Sequence, residues 1–294
     1  MTLPSEQGQR IGIIGLGLMG TALCERLLEH GYRVFVWNRT REKADSLIAR
    51  GAVWSDQPTR ECDRVLISLY SSPIVADVVS QFSPTLRIGQ ILIDTTTGEP
   101  SDSIALAQRL ADMGVHYLEA PISGSSEQTR RGEATVMVGG DRATFDACSD
   151  LWPHLGKTVC YVGQAGTAAK MKLVSNLILG LNRAALAEGL VFAESIGIEP
   201  SAALEILRQS AAYSRVMDIK GQKMLTRDFT PQAKLSQHLK DVHIILKSAE
   251  SVARDLPLSQ THRQLLERAE SAGYGEQDNS AILTAYDQPS RETE

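Results

Sequence analysis

The chain has 294 residues, 43% of them hydrophobic and 22% charged, which suits packed interiors and excludes wholesale disorder. Thirty-five acidic side chains outweigh 30 lysines and arginines, for a formal charge of -5, which is a poor electrostatic footprint for nucleic acid. At this length two domains are expected, or one domain with a large extension.

The start, "MTLPSEQGQR", is polar and lacks the basic and apolar regions of a leader. The first apolar run, "RIGIIG", reads as a buried strand and opens a series that continues with "YRVFVWN", "RVLISLY", "QILIDTT", "HYLEA", "ATVMVGG" and "TVCYVG". Continuous apolar strands separated by amphipathic helices predict a mainly parallel sheet covered on both faces. The expected fold class is therefore α/β: a Rossmann-type doubly wound sheet over residues 1–163, then an all-α domain over 164–294, joined by a long helix.

Directly after the first strand, Gly15, Gly17 and Gly20 stand in G-x-G-x-x-G spacing at the mouth of a helix. The first glycine permits the tight turn, the second lets a pyrophosphate approach the backbone, and the third lets helix and strand pack closely. The motif alone is weak, but its place in a strand–turn–helix unit points to a dinucleotide, with Leu18 and Met19 also counted among the cofactor contacts.

An NAD site usually carries an acid at the end of the second strand, about 20 residues on, for the adenosine ribose. Here Asn38 takes that place, followed by Arg39, Thr40 and Arg41. A guanidinium can hold a 2′-phosphate bidentately where a carboxylate would repel it. The expected cofactor is thus NADPH (NADP) in preference to NADH (NAD), through Asn38, Arg39 and Thr40; the alternative is that the arginines merely coat a helix start.

Cys24, Cys62, Cys148 and Cys160 are scattered without a CxxC pair, as expected for reduced core thiols in a cytoplasmic protein, and the six histidines do not cluster with them, so no metal is expected. After Gly163 strands give way to helices over about 166–196, 200–210, 213–225, 235–252, 256–272 and 278–286, broken by "GIEP" and "RDFTP", with a tail, "DQPSRETE", expected to fray. The first of these carries Asn176, Asn182, Arg183 and Glu188 within its apolar run, so no membrane span is expected.

That helix also sets Lys172 and Asn176 four residues apart, hence about 40° apart around a helix of about 3.6 residues per turn. A lysine among Leu173, Val174, Leu177 and Ile178 is either snorkelling to solvent or held in a polar pocket.

Four blocks, "GLGLMG", "DTTTGEP", "EAPISGSSEQTRRGEATVMVGG" and "GQAGTAAKMKLVSN", followed by "LSQHLKDVHIIL", resemble the β-hydroxyacid dehydrogenases in order and spacing. The resemblance covers residues from about 11 to 286 and includes 3-hydroxyisobutyrate dehydrogenases, tartronate semialdehyde reductases and glyoxylate/succinic semialdehyde reductases. It implies Lys172 as the general acid that protonates a carbonyl oxygen as hydride arrives, and Asn176 as a residue that orients substrate. It likewise implies that Ser123, Gly124 and Ser125 grip the substrate carboxylate, although Ser125 replaces a glycine common in many members. Thr96 then borders the nicotinamide ribose, and Lys240 reaches toward the cofactor.

Chemistry agrees with this placement, because a cation within hydrogen-bond reach stabilises and discharges the growing oxyanion. Lysine's ordinary pKa of about 10.4 suits it poorly to both directions, and partial burial favours the neutral form. On this reading the helix tolerates Lys172 because its face lines a ligand site.

His238 is expected on a helix surface, Glu188 in a structural hydrogen bond, and Tyr213 and Met217 either in the core or at the substrate. The implied reaction is reversible hydride transfer between nicotinamide and a small carboxylated aldehyde or hydroxyacid, with motifs most like the glyoxylate/succinic semialdehyde reductase branch. The rivals are an imine reductase, which generally lacks lysine at the position of Lys172, and a non-catalytic nucleotide-binding scaffold. A homodimer or homotetramer is expected, since the long helix is apolar on more than one side.

Overall fold

The computed structural model describes residues 9–287. The first residues read above as leaderless, and most of the tail expected to fray, lie outside them. The strands are β1 (Arg10–Ile14), β2 (Arg33–Trp37), β3 (Val53–Trp54), β4 (Arg64–Ile67), β5 (Ile91–Asp94), β6 (His116–Glu119), β7 (Ile122–Ser123), β8 (Thr135–Gly140) and β9 (Thr158–Gly163). They form one sheet in the order β3-β2-β1-β4-β5-β6-β8-β7, with β9 beside β8. All pairs are parallel except β6 with β8 and β7 with β8. Seven strands fall where the apolar runs place them. The two-residue β3 and β7 are too short to show any periodicity.

The helices used below are α1 (Leu18–Glu29), α2 (Ser72–Phe82), α3 (Pro100–Asp112), α4 (Ser126–Arg130), α5 (Thr167–Ser195), α6 (Pro200–Arg208), α7 (Arg215–Thr226), α8 (Leu235–Glu250) and α9 (Pro257–Ala269). Successive strand residues face opposite sides. Val34, Val36, Leu66, Ile93 and Leu118 pack with Leu23 and Leu27 of α1. Their neighbours Phe35, Val65, Ile67, Leu92 and Tyr117 pack with Val75 and Val79 of α2 and Leu106 and Leu110 of α3. Both faces of the sheet are therefore covered, and the strands must be apolar throughout.

The chain divides into two compact units, Met1–Lys172 and Leu173–Glu294, whose division falls inside α5. Within the first unit the opening turn of α5 is tied to the strands: the Ala168 N–H donates to Glu119 Oε1 at 2.6 Å, and Lys172 Nζ donates to the Ile122 carbonyl at 2.7 Å. By length and composition α5 is long and apolar enough to cross a membrane, yet 44% of that stretch is buried inside the protein. The helix ends at Ser195, Gly197 follows with a left-handed φ of 85°, and α6 starts on Pro200, which explains the "GIEP" break.

The second unit has its own core, including Leu186, Leu190, Leu204, Val216, Leu239, Leu266 and Ile282. The expected last two helices are modified: α9 gives way to a π turn at Glu270–Tyr274, and Asn279–Tyr286 is a 3-10 helix. Asp278 precedes that helix, fully buried, and receives Lys220 Nζ at 2.8 and 2.9 Å and the Gln232 N–H at 2.9 Å. His238 departs from expectation. It is buried, with Nε2 3.3 Å from Arg183 Nη2 and its ring 5.2 Å from that of His262. The cause is Gly180 on α5, where a Cβ would lie 2.4 Å from His238 Nε2. Glu188 accepts from Tyr286 Oη at 3.0 Å, and Met217 packs in the core. Cys24, Cys62 and Cys148 are buried, with burial pushing the first two thiols up to about 12, whereas Cys160 is exposed.

Candidate functional site

Parallel strands bring their carboxyl ends to one edge, and the sheet order changes direction there, between β1 and β4. The three motif glycines each answer a different demand. Gly15 has φ 99°, and a Cβ on it would lie 2.2 Å from the Ser68 carbonyl at the end of β4. A Cβ on Gly20 would lie 1.9 Å from the Gly15 carbonyl, so only glycine lets α1 sit this close to the turn. At Gly17 a Cβ would meet nothing within 4 Å. Packing thus does not require glycine there, whereas close approach of a ligand does. Gly17 precedes α1, whose first turn carries no acid and receives no side-chain cap, as an anion site requires. Leu18 is exposed and Met19 half-buried, the latter receiving the Thr129 hydroxyl at sulfur.

Asn38, at the end of β2, uses both ends of its amide: Oδ1 accepts the Leu16 N–H at 2.9 Å, and Nδ2 donates to the Thr40 carbonyl at 2.8 Å. It therefore locks the glycine turn to the segment after β2, and an ionised carboxylate would lose the second bond. Arg39, Thr40 and Arg41 are exposed beside it, and the Arg41 guanidinium lies 5.3 Å from the Trp54 ring centroid, a cation–π arrangement. Trp54 is itself held by Asp56 at 3.0 Å. These features fit a dinucleotide.

Farther along the same edge, Thr96 Oγ1 accepts the Leu69 N–H at 3.0 Å, joining the ends of β4 and β5. Ser123, Gly124 and Ser125 follow as the turn from β7 into α4. Ser125 is buried, and its hydroxyl accepts the Gln128 N–H at 3.2 Å while Gln128 Oε1 accepts the Ser125 N–H at 2.9 Å. That reciprocal capping box explains serine at this position by local structure. The spacing "SSEQ" advertises it in the sequence. Lys172, 6% exposed, closes this group: its ammonium reaches the backbone carbonyl that immediately precedes Ser123. It is held inside and does not snorkel.

In the second unit Asn176 is buried and donates to Asp241 Oδ2 at 2.8 Å, while Lys240 Nζ lies 3.1 Å from Asp241 Oδ1. Asp241 thus bridges the two expected site residues of that unit, and reading the sequence passed over it. An acid within the otherwise apolar "DVHIIL" was the available signal. Glu119 in the first unit was passed over in the same way.

The glycine turn at the switch point defines the class: a dinucleotide-binding α/β unit followed by a helical unit. Comparison with known proteins narrows it. Residues 10–163 match the family described as the NAD binding domain of 6-phosphogluconate dehydrogenase, and residues 166–286 match the NAD-binding domain of NADP-dependent 3-hydroxyisobutyrate dehydrogenase. The chain belongs to the β-hydroxyacid dehydrogenase family and is an NAD(P)-dependent oxidoreductase of that kind. It is 30% identical to the chloroplastic glyoxylate/succinic semialdehyde reductase 2 of Arabidopsis thaliana over 97% of this chain and 82% of that one. It is 32% identical to the human cytokine-like nuclear factor N-PAC over 95% of this chain, which spans about half of that protein (51%). In fold it is similar to a 3-hydroxyisobutyrate dehydrogenase from Salmonella typhimurium, with a TM-score of 0.87 at 24% identity over 95% of this chain and 100% of that one.

Proposed function

We propose that the protein reduces a small carboxylated aldehyde to a hydroxyacid with NADPH, reversibly, and that Lys172 is the proton donor. The observation that carries this is a lysine buried at 6% exposure whose ammonium sits at the residue before Ser123. Gly17 and the first turn of α1 would hold the pyrophosphate, Thr96 would border the nicotinamide ribose, and Arg39 and Arg41 would hold the 2′-phosphate. The bound nicotinamide supplies the hydride. The protein's part is the proton: Lys172 donates one to the carbonyl oxygen as the C–H bond forms, and recovers it in reverse. Ser123 and the backbone of Gly124 and Ser125 hold the carboxylate. Asn176, one turn beyond Lys172 on α5 and oriented by Asp241, keeps its amide oxygen for the substrate; Lys240, held by the same Asp241, serves the cofactor.

The reductase name of the Arabidopsis relative and the NADP-dependent description of the second matched family support this substrate class and cofactor. Retention of Lys172 weighs against an imine reductase and against a scaffold that has given up catalysis. Exposed Val174, Ile178 and Phe192 along α5 support a homodimer or homotetramer, which light scattering will read directly. The deciding experiment is initial rate with NADPH and NADH against glyoxylate, succinic semialdehyde, methylmalonate semialdehyde, tartronate semialdehyde and a cyclic imine. NADPH oxidation with one acidic aldehyde is the expected result. Turnover of the imine alone sinks the proposal.

A further inference from the structure

Glu119 ends β6 at 2% exposure, yet only one of its two carboxylate oxygens accounts for its presence. Oε1 accepts the Ala168 N–H at 2.6 Å, whereas Oε2 is buried with no hydrogen-bond partner among the described residues. Burial pushes the carboxyl up from its usual range, opposed by the N–H groups of Ala168 and Ala169 in the first turn of α5, the Ser103 hydroxyl and the Gly166 N–H. A buried acid in this setting is costly, so what it holds matters.

It holds one end of a two-point brace. The other end is the bond from Lys172 Nζ to the Ile122 carbonyl at 2.7 Å. Residues 119–122 and 168–172 are therefore tied at both ends. Lys172 makes one tie itself, and that tie is the one which must loosen when its ammonium turns to a substrate oxygen. The tie at Ala168 is one helical turn away and stays in place. The neighbouring strand makes room for it, because a Cβ on Gly139 of β8 would lie 2.4 Å from Glu119 Oε1 and 3.1 Å from the Ala168 nitrogen.

We propose that Glu119 is a positioning residue for Lys172: it fixes the first turn of α5 against β6, so that the ammonium returns to one place beside residues 122–125. Glu119 touches neither substrate nor cofactor. The inference rests on Lys172 being the proton donor. Displacements of about 1 Å in such groups cost on the order of 100-fold in rate.

The test compares Lys172→Ala, Glu119→Ala, Glu119→Gln and Gly139→Ala by kcat and KM for the aldehyde, by NADPH affinity from fluorescence titration, and by melting temperature. Glu119→Ala is expected to lower kcat roughly 10- to 100-fold with NADPH affinity within about twofold. Glu119→Gln, which keeps the accepting oxygen, restores most of the rate, and Gly139→Ala reproduces the loss by displacing the carboxylate. Wild-type kcat in Glu119→Ala overturns the inference. So does a loss of rate, cofactor affinity and melting temperature together that glutamine does not rescue, which marks a folding contact only. If Lys172→Ala keeps near-normal turnover, the reading of the site has failed; if it is inactive while Glu119→Ala is unaffected, only the positioning role has.

Discussion

The two units bury charge in different ways. In the α/β unit four buried or half-buried polar side chains at one edge of the sheet meet backbone N–H groups and carbonyls: Asn38 on Leu16, Thr96 on Leu69, Glu119 on Ala168 and Lys172 on Ile122. In the helical unit buried polar side chains meet one another, as Lys220 does with Asp278 and Arg183 with His238. An edge built on exposed backbone groups has positions for a ligand to occupy. Lys220 and Asp278 satisfy each other, with the Gln232 N–H completing the cluster, which marks them as architecture.

Mutations sharpen the contrast. Asp278→Ala leaves the Lys220 ammonium buried and uncompensated, with an expected loss of about 3–5 kcal/mol of stability in denaturant titration; a loss below about 1 kcal/mol would undo the architectural assignment. Next in size is an acid effect from His262, whose imidazole is pushed down to about 3 by burial, aided by the Arg183 charge. The unfolded chain takes up that proton near pH 6.5, so the stabilisation is complete above that pH and fades as pH falls toward 3. His262→Gln is expected to flatten the stability profile in this window, and an unchanged slope contradicts the assignment.

On the other side of the contrast, Arg39→Asp is expected to raise KM for NADPH by roughly 10- to 100-fold, the worth of a charge-assisted contact, while leaving the melting temperature near that of the wild type. Equal effects on NADPH and NADH would mean that the arginine merely coats the surface. The smallest effect is Ser125→Ala, which removes the α4 cap at a cost of about 1 kcal/mol; a large change in KM without loss of stability would return its hydroxyl to the substrate.

Legibility followed the same division. The packing demands on Gly15 and Gly20 were readable because each falls on one residue's backbone, and the continuous apolar run Val34, Phe35, Val36 announced a sheet covered on both faces. Partners far apart in sequence were hidden. His238 was read as a surface residue because its burial depends on Gly180 of another helix, and Asp241 was overlooked although its neighbour Lys240 was singled out. Such pairs are fixed by tertiary packing alone, which no local pattern encodes.

The proposed role of Lys172 is measured most directly as kcat of Lys172→Ala at saturating NADPH and aldehyde, with cofactor binding verified on the same preparation. A fall of roughly 100- to 10,000-fold with NADPH affinity retained is predicted. Near-normal turnover by a variant that still binds NADPH would contradict the account, because the proton would then come from elsewhere.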